Sequence, residues 1–129
     1  LIYIDTSVAL AHLLAEDHKP PPEIWSETLL SSRLLEYETW VRLNSYGLAA
    51  SHEEATLELL AKVSFIELAP QVLERALKPF PGPVRTLDAI HLSSLLFVRG
   101  LHLKVDLASY DKRLTDAAKD LKLPLVSGL

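Results

Sequence analysis

Short apolar runs alternate along the chain with stretches in which apolar residues recur every three or four positions. The first kind of pattern predicts buried strands and the second predicts helices. LIYI at the start reads as a strand, followed by the helix VALAHLLAED, for which Thr6 and Ser7 offer capping hydroxyls. TLLSS, from Thr28 to Ser32, is a second strand. From Arg33 to about Ala50 the spacing is helical, with Leu34, Tyr37, Val41 and Ser45 on one face. Ser51-His52-Glu53-Glu54 fits a capping box that opens a helix running through Val63. SFIEL is a third strand, Pro70 to Lys78 a short helix, and Val84 to Arg99 a long apolar helix. Gly100 is expected to end that helix by taking a positive φ. LKVDLAS is a fourth strand, DKRLTDAAKDLK an amphipathic helix and PLVS a last short strand.

Strands alternating with helices imply right-handed crossovers, and hence an α/β fold whose central, mostly parallel sheet is flanked by helices. Pro20, Pro21 and Pro22 form one loop and KPFPGPV another; neither is long enough to divide the chain, so residues 1–129 read as one domain. Ligands of such sheets bind beyond the carboxyl ends of the strands. Asp5 stands at that end of the first strand, where an apolar run is broken by Asp5, Thr6 and Ser7.

Composition narrows the chemistry. Of the 129 residues 49% are hydrophobic and 23% charged, ordinary values for a folded globular protein. No run is long enough to span a membrane, and no secretory leader is recognisable, so a soluble cytoplasmic protein is expected. With no initiator Met, the native start is expected just upstream of Leu1. With no cysteine there is neither a disulfide framework nor a thiolate metal site. A net charge of −4 argues against a protein that grips duplex DNA through a broad basic face, but not against a nuclease that meets phosphate through a cation.

Four carboxylates occupy positions that a purely structural role explains poorly. Asp5 is the first. Asp88, in RTLDAIHLSSLL, opens the most apolar helix; there it is either a first-turn acid facing solvent or a buried group that requires a partner or a cation. Glu38, in SSRLLEYETWVRL, is either half of a surface pair with Arg42 or a site residue. Glu36, about 200° away around the helix, cannot share its face. Asp111 follows LASY at a strand-to-helix junction, where it can cap the helix. Asp106 within the strand and Asp116 on the helix are alternatives. Carboxylates brought together repel unless a cation neutralises them, and an all-oxygen donor set suits Mg²⁺ or Mn²⁺.

IYIDTS, SSRLLEYE, RTLDAIHL and SYDKRL, in that order, resemble the PIN-domain ribonucleases, and in particular the VapC toxins of type II toxin–antitoxin pairs. The resemblance covers nearly the whole chain and implies a PIN-like fold. It implies that Asp5, Glu38, Asp88 and Asp111 hold Mg²⁺ or Mn²⁺, with Thr6 or Ser7 holding the first acid. Ser109 stands where the family often has Thr, and Asp106 is a possible substitute for the fourth acid. It further implies endonucleolytic cleavage of RNA such as a tRNA or rRNA loop, a homodimer, and a cognate antitoxin that covers the acidic site and through which alone DNA would be bound.

Other readings fit less well. A phosphoaspartyl enzyme of the haloacid dehalogenase type needs a second Asp two residues after the first, where this chain has Ser7. A receiver domain needs an acid pair at the first strand. His12, His18, His52, His91 and His102 make no zinc-binding pair. A degenerate, non-catalytic PIN module that acts by binding protein or RNA is the main alternative. His91 reads as lining the site or as a helix residue satisfied by a neighbour. Arg85 is either a phosphate ligand or a solvated loop residue, and Trp25 and Trp40 are core or dimer-contact aromatics.

Overall fold

The sheet is built around β1 (Ile2–Ile4), whose three residues are all buried. It pairs in parallel on one side with β2 (Leu29–Ser32) and on the other with β4 (Asp106–Ala108). β3 (Val63–Ile66) pairs in parallel with β2, giving the order β3-β2-β1-β4. The computed structural model describes residues 1–14 and 17–129. Among the described residues six helices connect and cover the strands: α1 (Thr6–Leu13), α2 (Leu34–Ser45), α3 (Glu53–Ala61), α4 (Pro70–Leu73), α5 (Thr86–Gly100) and α6 (Lys112–Asp120). Pro70 starts α4, and Pro22 starts a 3-10 turn at Pro22–Ser26; a missing amide donor costs nothing at a first helical position. Among the described residues no helix is long and apolar enough to cross a membrane.

Side chains on a strand alternate between faces, and each face here has its own core. Ile2, Ile4 and Leu29 pack with Val8, Leu13, Leu35, Leu43 and Leu59 from α1, α2 and α3. Tyr3 and Leu107 pack on the other side with Leu92, Leu95, Leu114 and Ala118 from α5 and α6. Covered on both sides, the sheet forces every ligand to its rim. Leu35 is fully buried in the first core. Leu35→Ala is expected to cost about 2–5 kcal/mol, read as a lowered urea midpoint with unchanged slope.

Several local expectations are corrected. α1 begins at Thr6, so Thr6 and Ser7 lie inside its first turn, and the N-cap position is Asp5, which makes no side-chain cap bond. Ala15 and Glu16, in the expected second half of that helix, lie outside the described residues. α2 stops at Ser45 rather than near Ala50, because the chain turns through Gly47 at φ 69°. Its core face is Leu35, Thr39 and Leu43. Tyr37 and Val41 are 59% and 67% exposed, so the periodic stripe is the outer one. The capping box does not form: His52 takes the cap position, and the Ser51 hydroxyl donates back to the Leu48 carbonyl. The helix ends at Ala61, leaving Val63 to open β3. Gly100 remains helical, and His102 takes the positive φ of 66°. PLVS contributes a single parallel bridge, Leu125 to Leu107, rather than a strand. Trp25 and Trp40 pack against the first core, as a structural role requires.

Candidate active site

Because all strands are parallel, Ile4, Ser32 and Ala108 bring their carboxyl ends to one rim, and the segments that follow them border a cleft of about 600 Å³. Asp5, Glu38, Asp88 and Asp111 all line it, with Thr6, Ser7, Arg42, Arg85 and His91. The four acids come from the β1–α1 junction, α2, the first turn of α5 and the start of α6.

Asp5 is buried and held by two hydroxyls. Ser7 donates to Oδ1 at 2.6 Å and Ser109 to Oδ2 at 2.9 Å. Ser7 in turn accepts from the Tyr110 amide, and Ser109 from the Asp111 amide, so the turn after β4 is pinned to the carboxylate. Burial pushes Asp5 up to about 6, although Ser7, His91 and Ser109 pull it down; the nearby Asp111 adds to the rise. Glu38 is the contrasting case. Burial alone would raise it, but His91 at 2.6 Å and Thr6 at 2.7 Å both donate to Oε1, and Arg42 adds attraction, so the carboxyl lies below its ordinary range.

Asp88 and Asp111 share one cation. Arg85 donates from Nε to Asp88 at 3.2 Å and from Nη2 to Asp111 at 3.3 Å. Asp111 also caps α6, accepting from the Arg113 and Leu114 amides. Each acid is therefore already engaged by a protein donor. Among the described residues, no three of them converge closely enough to form a ready-made metal cage. The donor set is nonetheless all carboxylate and hydroxyl, the chemistry a hard divalent cation takes.

The PIN domain family matches residues 2–120. The chain belongs to that family. No curated protein matches it in sequence. Among solved structures, this PIN domain is similar to a chain of a toxin–antitoxin complex from Klebsiella pneumoniae, with a TM-score of 0.65 at 20% identity, over 88% of this chain and 89% of that one. At that identity the likeness shows the fold.

Within the PIN domain, Asp5, Glu38, Asp88 and Asp111 are brought to one cleft, with Thr6, Ser7 and Ser109 as direct partners of the acids. Asp106 is not: it pairs with Ile2 at the amino end of β4, is exposed, and does not line the cleft. Glu36 pairs with Arg33 and Asp116 with Lys112. Arg85 is an exposed residue at the N-cap position of α5 whose guanidinium pairs with Asp88 and Asp111. The pattern along the chain gave no notice of Tyr3, a fully buried hydroxyl on the central strand that reaches His91 Nδ1 at 2.8 Å. A tyrosine in the middle of an otherwise aliphatic strand was its available signal.

Proposed function

We propose that this PIN domain is a Mg²⁺- or Mn²⁺-dependent endoribonuclease acting as the toxin of a type II toxin–antitoxin pair in the cytoplasm. The observation that carries the nuclease reading is the meeting of four carboxylates from four separate elements in one cleft. One of them, Asp5, is buried and, among the described residues, has no cationic side chain bonded to it. Asp5, Glu38, Asp88 and Asp111 would hold the ion directly or through water. When bound, such an ion supplies Lewis acidity toward a phosphodiester and its attacking water. The chain's own residues do the rest: Ser7 and Ser109 fix Asp5, Thr6 and His91 fix Glu38, and Arg85 holds Asp88 and Asp111 while no ion does.

The toxin reading is supported by the likeness to a toxin–antitoxin complex chain. A cleft whose acids already accept from Arg85 would accept equally from an arginine of an antitoxin. Tyr37 and Val41, one turn apart and exposed on α2, offer apolar surface to a second copy of the chain. A structured RNA such as a tRNA or rRNA loop is the substrate this reading requires.

The engagement of every acid by a protein donor favours one rival, a PIN module that only binds. A thermal-shift titration with Mn²⁺ separates the two. Ligand at a hundred times its Kd should add about 2.7 kcal/mol to stability. The same preparation should cleave structured RNA with Mn²⁺ and lose that activity in EDTA. No thermal shift at millimolar Mn²⁺ would leave the binding-only module in possession.

A further inference from the structure

We infer that Tyr3 and His91 form a buried positioning relay that presents Glu38 to the cation, an inference that rests on the metal-dependent reading above. Neither residue is exposed to solvent: Tyr3 is 0% and His91 4% accessible. The relay runs from the backbone of β2 to the cleft. The Ser32 amide donates to Tyr3 Oη at 3.1 Å, Tyr3 Oη meets His91 Nδ1 at 2.8 Å, and His91 Nε2 meets Glu38 Oε1 at 2.6 Å.

The directions of the two outer bonds follow from what each group can do. A backbone amide only donates, so Tyr3 accepts from Ser32. An ionised Glu38 only accepts, so the imidazole proton is on Nε2. Nδ1 meets the Tyr3 hydroxyl, and the relay assigns the proton of that bond to Tyr3, which requires the ring to carry its proton on Nε2 alone. All three donors thus point the same way, toward the carboxylate, and such chains reinforce their members. The Tyr3 and His91 rings also meet edge to face, 5.9 Å between centroids and 88° between planes, which restrains the imidazole from turning.

The consequence falls on Glu38. Both of its donors, His91 and Thr6, bind Oε1, and among the described residues none binds Oε2. One oxygen is anchored to the protein and the other is left for a cation or its water. Outer partners that orient metal ligands in this way commonly contribute about 10–100-fold to affinity. Tyr3 and His91 are positioning residues, since they act through Glu38.

The test uses Mn²⁺ as the probe, with affinity read from the EPR signal of the free ion. Tyr3→Phe keeps the ring and removes the relay's hydroxyl, and is expected to weaken Mn²⁺ binding about 10-fold. His91→Phe should do the same, while His91→Gln, which retains a donor, should recover part of the loss. In a Glu38→Gln background Tyr3→Phe should have no further effect, as a double-mutant cycle requires of residues acting in series. In the metal-free wild type, ¹⁵N NMR should find His91 protonated on Nε2 and bare on Nδ1. That readout tests the relay even where a variant folds poorly.

Wild type that binds no Mn²⁺ overturns the metal reading and the relay's purpose with it. Wild type that binds, with a Tyr3→Phe loss undiminished in Glu38→Gln, overturns the relay alone. So does a proton found on Nδ1.

Discussion

Asp88→Asn is expected to abolish RNA cleavage, by at least about 10²–10³-fold at saturating Mn²⁺, while leaving the protein folded. That loss corresponds to roughly 3–4 kcal/mol of transition-state stabilisation. The substitution keeps the size of the side chain and removes only its charge. Fold stability has little stake in that charge. Asp88 accepts from Arg85 at 3.2 Å, its side chain 12% and the arginine's 57% exposed, and an Asn side-chain oxygen in its place can accept the same bond. Arg85 also keeps its second partner, Asp111. Cleavage rates and urea midpoints measured on one preparation separate the two effects. Full activity in the variant would remove Asp88 from the site.

Asp5→Asn is expected to stabilise the metal-free protein at neutral pH and to eliminate its response to Mn²⁺. Burial raises the Asp5 carboxyl from an unfolded value of 3.8 to about 6. Between those two values the folded chain holds a proton that the unfolded chain has released, so stability falls as pH rises through the window. Below it the cost is absent, and above it the cost is complete. At about 1.4 kcal/mol per unit the full cost is on the order of 3 kcal/mol. The amide cannot ionise, so the variant should show no such decline between pH 4 and 6. Ser7 and Ser109 lose charge-assisted bonds to the carboxylate, which offsets part of the gain. Melting temperatures at pH 4.5 and pH 7, with and without Mn²⁺, give the four readings needed. A variant less stable than wild type at pH 7 without metal would mean that the hydroxyls hold Asp5 more tightly than burial penalises it.

Much of this could be read in the sequence, and the failures have local causes. The alternation of strand and helix fixed the parallel sheet, and with it the end at which Asp5 had to lie. Helical geometry kept Glu38 and Glu36 on different faces and the family resemblance selected Glu38, which lines the cleft, while Glu36 pairs with Arg33. Asp111 and Asp106 could not be separated along the chain, because the choice depends on which end of β4 faces the site. Periodicity in α2 found a true stripe but not its direction, since Leu34, Tyr37, Val41 and Ser45 are as regularly spaced as the Leu35, Thr39 and Leu43 that the core took. The Ser51 capping box and the Gly100 stop failed because His52 took the cap position and His102 the positive φ. Arg85 and Tyr3 make their decisive contacts 26 and 88 residues away, beyond the reach of any local pattern.

The position of β4 at the end of the order β3-β2-β1-β4 also bears on when the cleft comes into being. β1 and β4 are neighbours in space and the first and last strands in the chain, so their pairing closes the longest loop in the sheet. Contacts of such separation form late and slowly. Ser109, which clamps Asp5, and Asp111, which faces Asp88 across Arg85, arrive only with that step. A growing chain that has not reached β4 lacks Ser109 and Asp111 and so has no complete cleft. Whatever the four acids do together, synthesis has passed residue 111 before they can do it.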